Sequence, residues 1–237
     1  MYAGSLGFGI ASCAVNAGRG VFLYNFRVCQ HPWAPSALAG RQQNVNHRDE
    51  VMEIIPTRFP GLWLIQPRVF QDNRGFFVET YNEKDFISHG IYYDFVQDNH
   101  ARSERKGVLR GLHFQTPPAA QAKLVRVTRG AVFDVVVDFR KGSPTYGKWY
   151  GEELSGKNFR QLLIPKGFAH GYVTLEPMTE FQYKVDAFYA PEHDAGVLWN
   201  DPTIAIPWPV DQPVLSEKDQ GLPLMKDFES PFVYSPV

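Results

Sequence analysis

From Met52 onward the chain is written in short, apolar-alternating runs separated by Gly, Pro, Asn and Asp, and almost nothing in it has the period of a helix. Strand-like runs lie at Leu62–Gln66, Phe76–Tyr81, Phe95–Asn99, Gly107–Phe114, Lys123–Arg129, Ala131–Asp138, Gly147–Glu153, Gln161–Ile164, His170–Leu175, Glu180–Val185 and Gly196–Leu198. Many short strands at this spacing restrict the chain to a β-sandwich or barrel. Two short helical turns fit: Asn82–His89, with Asn82 as N-cap and Asp85 at the third helical position, and Ser216–Asp219. No repeat period supports a solenoid or propeller, so an all-β, double-sheet barrel is expected. Lys123–Arg129 and Ala131–Asp138 flank Gly130 and suggest a hairpin. Its alternation sets Lys123 beside Val125 and Val127, and Asp134 beside Val132 and Val136.

The 237 residues, 44% of them hydrophobic, suffice for one domain with a buried core. A formal net charge of −1 and a pI near 6.7 carry no polybasic signature, which argues against nucleic acid or an anionic membrane surface as partner. No apolar run is long enough to span a bilayer. Cys13 and Cys29 lie at the N-terminal end, leaving the remainder without a disulfide framework or a cysteine zinc site. Residues 1–51 lack periodicity and a basic, signal-like start, and read as an N-terminal extension, either disordered or a non-native leader. Residues 52–237 read as the folded domain, with Met52 a sensible start.

Within Gly107-Val108-Leu109-Arg110-Gly111-Leu112-His113-Phe114-Gln115 an Arg and a His flank a glycine in an otherwise apolar strand. Strict alternation puts Arg110 and His113 on opposite faces, so a bulge or sharp twist at Gly111 is expected if both serve one pocket. Alone, His113 is open to three assignments: general base, metal ligand or satisfied core histidine. His170 faces the same choice within Pro165-Lys166-Gly167-Phe168-Ala169-His170, whose spacing resembles the second motif of the cupin superfamily. Metal-binding cupins carry His-x-His and a following Glu in the first motif. Here Gln115 stands two residues after His113 and no such Glu follows, so a metal-free pocket is expected.

Tyr183 alternates onto the face of Phe181 and Val185, so its hydroxyl is expected to point inward and to seek a partner. Lys123 on a valine face calls for a carboxylate or a ligand oxygen, unless it snorkels to the barrel mouth. His, Tyr and Lys on inward faces form a set suited to proton transfer beside a carbonyl. One removes a proton, one returns it, and the ammonium holds the developing oxyanion.

These residues fall within motifs by which Met52 to Val237 resembles the dTDP-4-dehydrorhamnose 3,5-epimerase family, a metal-free, cupin-like group. The carriers are Asp72–Thr80, Gln97-Asp98-Asn99-His100, Gly107–Gln115, Gln121–Val127, Gly142-Ser143-Pro144-Thr145, Ile164–Tyr172, Ala190-Pro191-Glu192-His193 and Ser216-Glu217-Lys218-Asp219. The resemblance implies a double-stranded β-helix, the jelly-roll barrel of cupins, with few short helices and no cofactor. It implies that His113 abstracts protons at C3 and C5 of dTDP-4-dehydro-6-deoxy-D-glucose, with Asp219 orienting its imidazole. Lys123 would stabilise the C4 enolate, and Tyr183 would return the proton, giving dTDP-4-dehydro-L-rhamnose for dTDP-L-rhamnose biosynthesis and cell-surface polysaccharide. The same resemblance sets Arg110 and His170 at the sugar or diphosphate, and Lys218 as a further phosphate contact. Arg74, Glu79, Gln97 and Asn99 would line the nucleotide side, some from a neighbouring subunit of a cytoplasmic homodimer. Asp194 stands where many relatives carry Glu and is a further substrate-side candidate.

Overall fold

The computed structural model describes residues 52–236; the extension expected over residues 1–51 lies outside the described residues. In chain order the elements are β1 (Met52–Pro56), β2 (Trp63–Pro67), β3 (Val69–Asp72), β4 (Gly75–Val78), α1 (Glu83–Ser88), β5 (Gln97–Ser103), β6 (Leu109–Gln115) and β7 (Lys123–Arg129). There follow β8 (Ala131–Asp138), β9 (Trp149–Ser155), β10 (Gln161–Ile164), β11 (Phe168–Thr174), β12 (Thr179–Val185), β13 (Asp194–Gly196) and α2 (Glu217–Gln220). A six-stranded sheet runs β1-β2-β10-β7-β12-β5, a five-stranded sheet runs β13-β6-β11-β8-β9, and β3 with β4 forms a separate ribbon. From β5 to β12 the chain crosses repeatedly between the two larger sheets, which makes the barrel a jelly roll, as expected.

The alternation has a physical counterpart in three buried layers. Val125, Val127, Val132, Val136, Phe168 and Phe181 meet between the sheets. Full burial of each such side chain is worth about 1.5–3 kcal/mol. The outer face of the five-stranded sheet buries Phe114, Val135, Val137 and Ala169 under Val197, Ile204, Ile206 and Phe232. On the outer face of the six-stranded sheet, Leu124 and Leu163 lie under Phe86 of α1 and Ile91. The cap expected at Asn82 forms, its side chain accepting from Lys84 N; Ser216, not expected as a cap, accepts from Asp219 N.

The hairpin expected at Gly130 does not form. β7 lies between β10 and β12 in one sheet, and β8 between β11 and β9 in the other. A single intervening residue is too short for the usual two-residue hairpin loop, and both strands have an inward face to bury from opposite sides of the barrel. Gly130 is therefore a corner between sheets. Its φ is +75°, and a Cβ there would come 2.4 Å from Thr179 Oγ1. Strands β1 and β3 were absent from the expectation, and β5 starts at Gln97 rather than Phe95. β3 is mostly exposed, so it carries no inward alternation to read.

The bulge expected at Gly111 is present. His113 pairs with His170 and Arg110 with Tyr172, so β6 spends three steps where β11 spends two. Gly111 has φ +123°, and a Cβ on it would lie 2.5 Å from Gly171 Cα and 2.7 Å from the His170 carbonyl oxygen. The extra residue reverses the parity of the strand, which turns Arg110 and His113 into the same cavity.

Candidate active site

The open end of the barrel holds a cavity of about 430 Å³, a volume suited to a small ligand. β6 contributes Arg110 and His113, β7 Lys123, β11 His170, β12 Tyr183, and the α2 segment Lys218 and Asp219. His113 belongs to the five-stranded sheet and Tyr183 to the six-stranded one, so imidazole and phenol stand on opposite walls. A smaller recess of about 290 Å³, lined by Asn99, His100, Arg126 and Gln182, includes only Tyr183 of the proton-transfer set.

His113 Nε2 lies 2.5 Å from Asp219 Oδ1. Asp219 is buried at 3% exposure, and α2 presents it because Ser216 caps the Asp219 amide at 3.1 Å. Burial alone would raise the Asp219 carboxyl, but the His113 hydrogen bond and charge, together with Ser216, outweigh it and hold the group below the usual carboxylate range. A carboxylate on Nε2 sets the tautomer and leaves Nδ1, which has no hydrogen-bond partner among the described residues, as the basic nitrogen.

Lys123 Nζ lies 3.4 Å from the His113 carbonyl oxygen. The side chain keeps some surface toward the cavity, but protein surrounds the ammonium, and burial pulls its pKa down to about 8. The charges of Asp134 and Asp194 resist that fall, and Lys218 adds to it. Burial raises the Tyr183 hydroxyl above its ordinary value, opposed by the Arg110 charge, so Tyr183 stays a proton donor at neutral pH.

His170 is committed to a second carboxylate, 3.0 Å from Nε2 to Asp134 Oδ2. Burial lowers His170 and raises Asp134, each partly offset by the other. Asp134 is fully buried and was not among the site residues expected from sequence. Its signal was a lone carboxylate on the inward face of Val132–Val137, opposite the inward Lys123. Tyr189, also not expected, donates from its hydroxyl to Asp194 Oδ2 at 3.1 Å. Asp194 is also paired with the Lys218 ammonium.

The remaining expected residues lie elsewhere in this chain. Arg74, 85% exposed in its side chain, sits in the β3–β4 turn on Asp72. Glu79 accepts from Asn82 Nδ2 at 3.0 Å. Gln97 Nε2 donates to Asn99 Oδ1 at 2.9 Å on the edge strand β5.

The chain has close counterparts among known proteins. The profile of the family described as dTDP-4-dehydrorhamnose 3,5-epimerase matches residues 56–227. A dTDP-4-dehydrorhamnose 3,5-epimerase of Pseudomonas aeruginosa is 57% identical over 163 residues, 68% of this chain and 89% of that one. The crystal structure of the Bacillus anthracis dTDP-4-dehydrorhamnose 3,5-epimerase, with TDP and PPi bound, is 55% identical. It superposes with a TM-score of 0.72 over 73% of this chain and 99% of the other. The Legionella pneumophila dTDP-6-deoxy-D-glucose-3,5-epimerase, in complex with dTDP-4-keto-L-rhamnose, is 46% identical with a TM-score of 0.75, covering 78% and 100%. With the profile spanning both sheets and the α2 carboxylate, this chain belongs to the dTDP-4-dehydrorhamnose 3,5-epimerase family.

Proposed function

We propose that the chain epimerises dTDP-4-dehydro-6-deoxy-D-glucose at C3 and C5 to dTDP-4-dehydro-L-rhamnose, in the cytoplasmic supply of dTDP-L-rhamnose, without a cofactor. The observation that carries this reading is the placement of His113 and Tyr183 on opposite walls of one cavity that Lys123, on the strand beside that of Tyr183, also lines. Inversion needs removal of a proton from one face of the sugar and delivery to the other. His113 Nδ1 takes the proton α to the C4 ketone, and Asp219 stabilises the imidazolium that forms. The Lys123 ammonium meets the enolate oxygen, and the Tyr183 hydroxyl returns a proton from the opposite side. The same pair acts at C3 and at C5, because both carbons flank the ketone. Arg110 and Lys218 supply the positive charge for the diphosphate, and His170, held by Asp134, faces the sugar.

Turnover in deuterium oxide tests the reaction: deuterium is expected at both C3 and C5 of the product. Tyr183→Phe is expected to keep wash-out of the substrate protons while net inversion falls about a hundredfold. Label at C3 alone would make the enzyme a single-centre epimerase and sink the double inversion.

The homodimer belongs to the same proposal. The β3–β4 ribbon exposes Phe70, Phe76 and Phe77 at 42%, 59% and 69%, and β5 is the edge strand of its sheet. An apolar ribbon and an open edge both favour a second copy, which would bring Arg74 and Glu79 toward the partner's Gln97 and Asn99. Phe77→Asp is expected to yield monomers with a raised KM, as measured by light scattering and kinetics. A wild-type monomer with full activity at micromolar concentration would remove the dimer from the reading.

A further inference from the structure

Past the end of β12, residues Ala187, Phe188, Tyr189 and Ala190 leave the sheets, and glutamine side chains bind their backbone one group after another. Gln121 Nε2 donates to the Ala187 carbonyl at 2.7 Å, and Gln115 Nε2 to the Phe188 carbonyl at 3.2 Å. Gln97 Oε1 accepts from Tyr189 N at 3.1 Å, and Gln115 Oε1 from Ala190 N at 2.8 Å. Gln115 also donates to the Ala119 carbonyl at 2.7 Å, so both ends of its carboxamide are in use.

The three side chains come from both sheets. Gln97 opens β5 and Gln121 precedes β7 in the six-stranded sheet, whereas Gln115 ends β6 in the five-stranded one. A surface segment ordinarily leaves such groups to water, and fixing long side chains for the task costs conformational entropy. Gln115 is 4% exposed, whereas Phe188 and Tyr189 on the bound segment are 69% and 56% exposed. The segment is thus an exposed piece of backbone fastened from beneath. A polar chain leads from it, from the Tyr189 hydroxyl to Asp194, and from Asp194 to Lys218 on the cavity wall.

We propose that Gln115 is a positioning residue that, with Gln121 and Gln97, straps 187–190 across the barrel end so that Tyr189 and Asp194 hold Lys218 in place for the anionic part of the substrate. This rests on the proposed function for its ligand, but the strap itself does not. Gln115 touches no reacting atom; it acts through backbone and a chain of polar contacts. Its loss therefore affects binding rather than proton transfer.

The test combines kinetics with amide hydrogen exchange on the full chain. Gln115→Ala is expected to raise KM about tenfold with kcat within about twofold and an unchanged pH profile of kcat. The Tyr189 and Ala190 amides should exchange at least about tenfold faster, while amides of β7 and β11 stay protected. Gln115→Glu keeps the acceptor for Ala190 N but loses the donor to Phe188, and should fall between. Should Gln115→Ala not fold, Gln121→Ala removes only the Ala187 contact and should raise KM in the same direction by a smaller factor. Unchanged exchange at 189 and 190, or a fall in kcat with KM constant, overturns the proposal. A wild-type protein that binds thymidine diphosphate without turnover would sink the epimerase reading instead, and the exchange rates together with the affinity for thymidine diphosphate would still decide the strap.

Discussion

His113→Asn is expected to lower kcat by about a thousandfold or more while the protein stays folded, because general base catalysis contributes roughly 10²–10⁴ and no neighbouring group can replace it. His170 is a poor substitute, because it is buried at 7% exposure and burial lowers its basicity. Asn keeps a polar group within reach of Asp219, so the 3%-exposed carboxylate is not left without a donor. Asp219→Asn should follow in the same direction, since an amide facing Nε2 no longer favours the tautomer with a free Nδ1 nor stabilises the imidazolium. The measurements are coupled-assay kcat, wash-out of label from substrate into solvent, and circular dichroism. His113→Asn retaining a tenth of wild-type kcat, or wash-out at the normal rate, would remove His113 as the base.

Lys123→Met is expected to cost about 10²–10³ in kcat, the size typical of losing one donor to a developing oxyanion. The fold should not suffer, because Met fills the place of the stem and a buried ammonium is costly to hold. The pH dependence gives a sharper reading. With its pKa pulled to about 8, Lys123 is protonated and competent below that pH, and kcat/KM should fall as pH rises through about 8. Tyr183 does not contribute a limb there, since burial moves it above its ordinary value. For stability the sign is opposite. The folded pKa is below the unfolded one, so the ammonium's cost is fully present below pH 8 and is relieved as pH climbs toward 10.5. Lys123→Met should thus be at least as stable as wild type at pH 7, with the difference shrinking above pH 8. A basic limb near pH 8 that persists in Lys123→Met would assign it to another group.

Much of the fold was legible because strand alternation and turn residues are local signals. Lys123–Arg129, Ala131–Asp138 and Gln161–Ile164 have the boundaries expected of them. The Asn82 cap was legible because a short polar side chain before an acidic first turn acts within three residues; Ser216 obeys the same rule but was not expected as a cap. The bulge at Gly111 was legible because two polar residues of opposite parity around a glycine fit one cavity only if the strand gains a residue. The Gly130 hairpin was misjudged because alternation reports which face of a strand is buried and is silent on which sheet the strand joins.

The site divides along the same line. The inward Lys123 and Tyr183 and the His113 strand follow from a two-residue period and the chemistry of side chains that a core does not favour. The bond from His113 to Asp219 spans 106 positions, and that from His170 to Asp134 spans 36. No local pattern encodes such pairs, and Asp219 was expected against His113 only through the family resemblance. They arise where the crossings between sheets lay β6, β8, β11 and α2 side by side. Sequence alone determined most of the alternating strands, the Asn82 cap and the need for a bend at Gly111. The tertiary structure decided that His113 and Tyr183 face each other across one cavity, because only the packing of two sheets puts an inward residue of each on opposite walls.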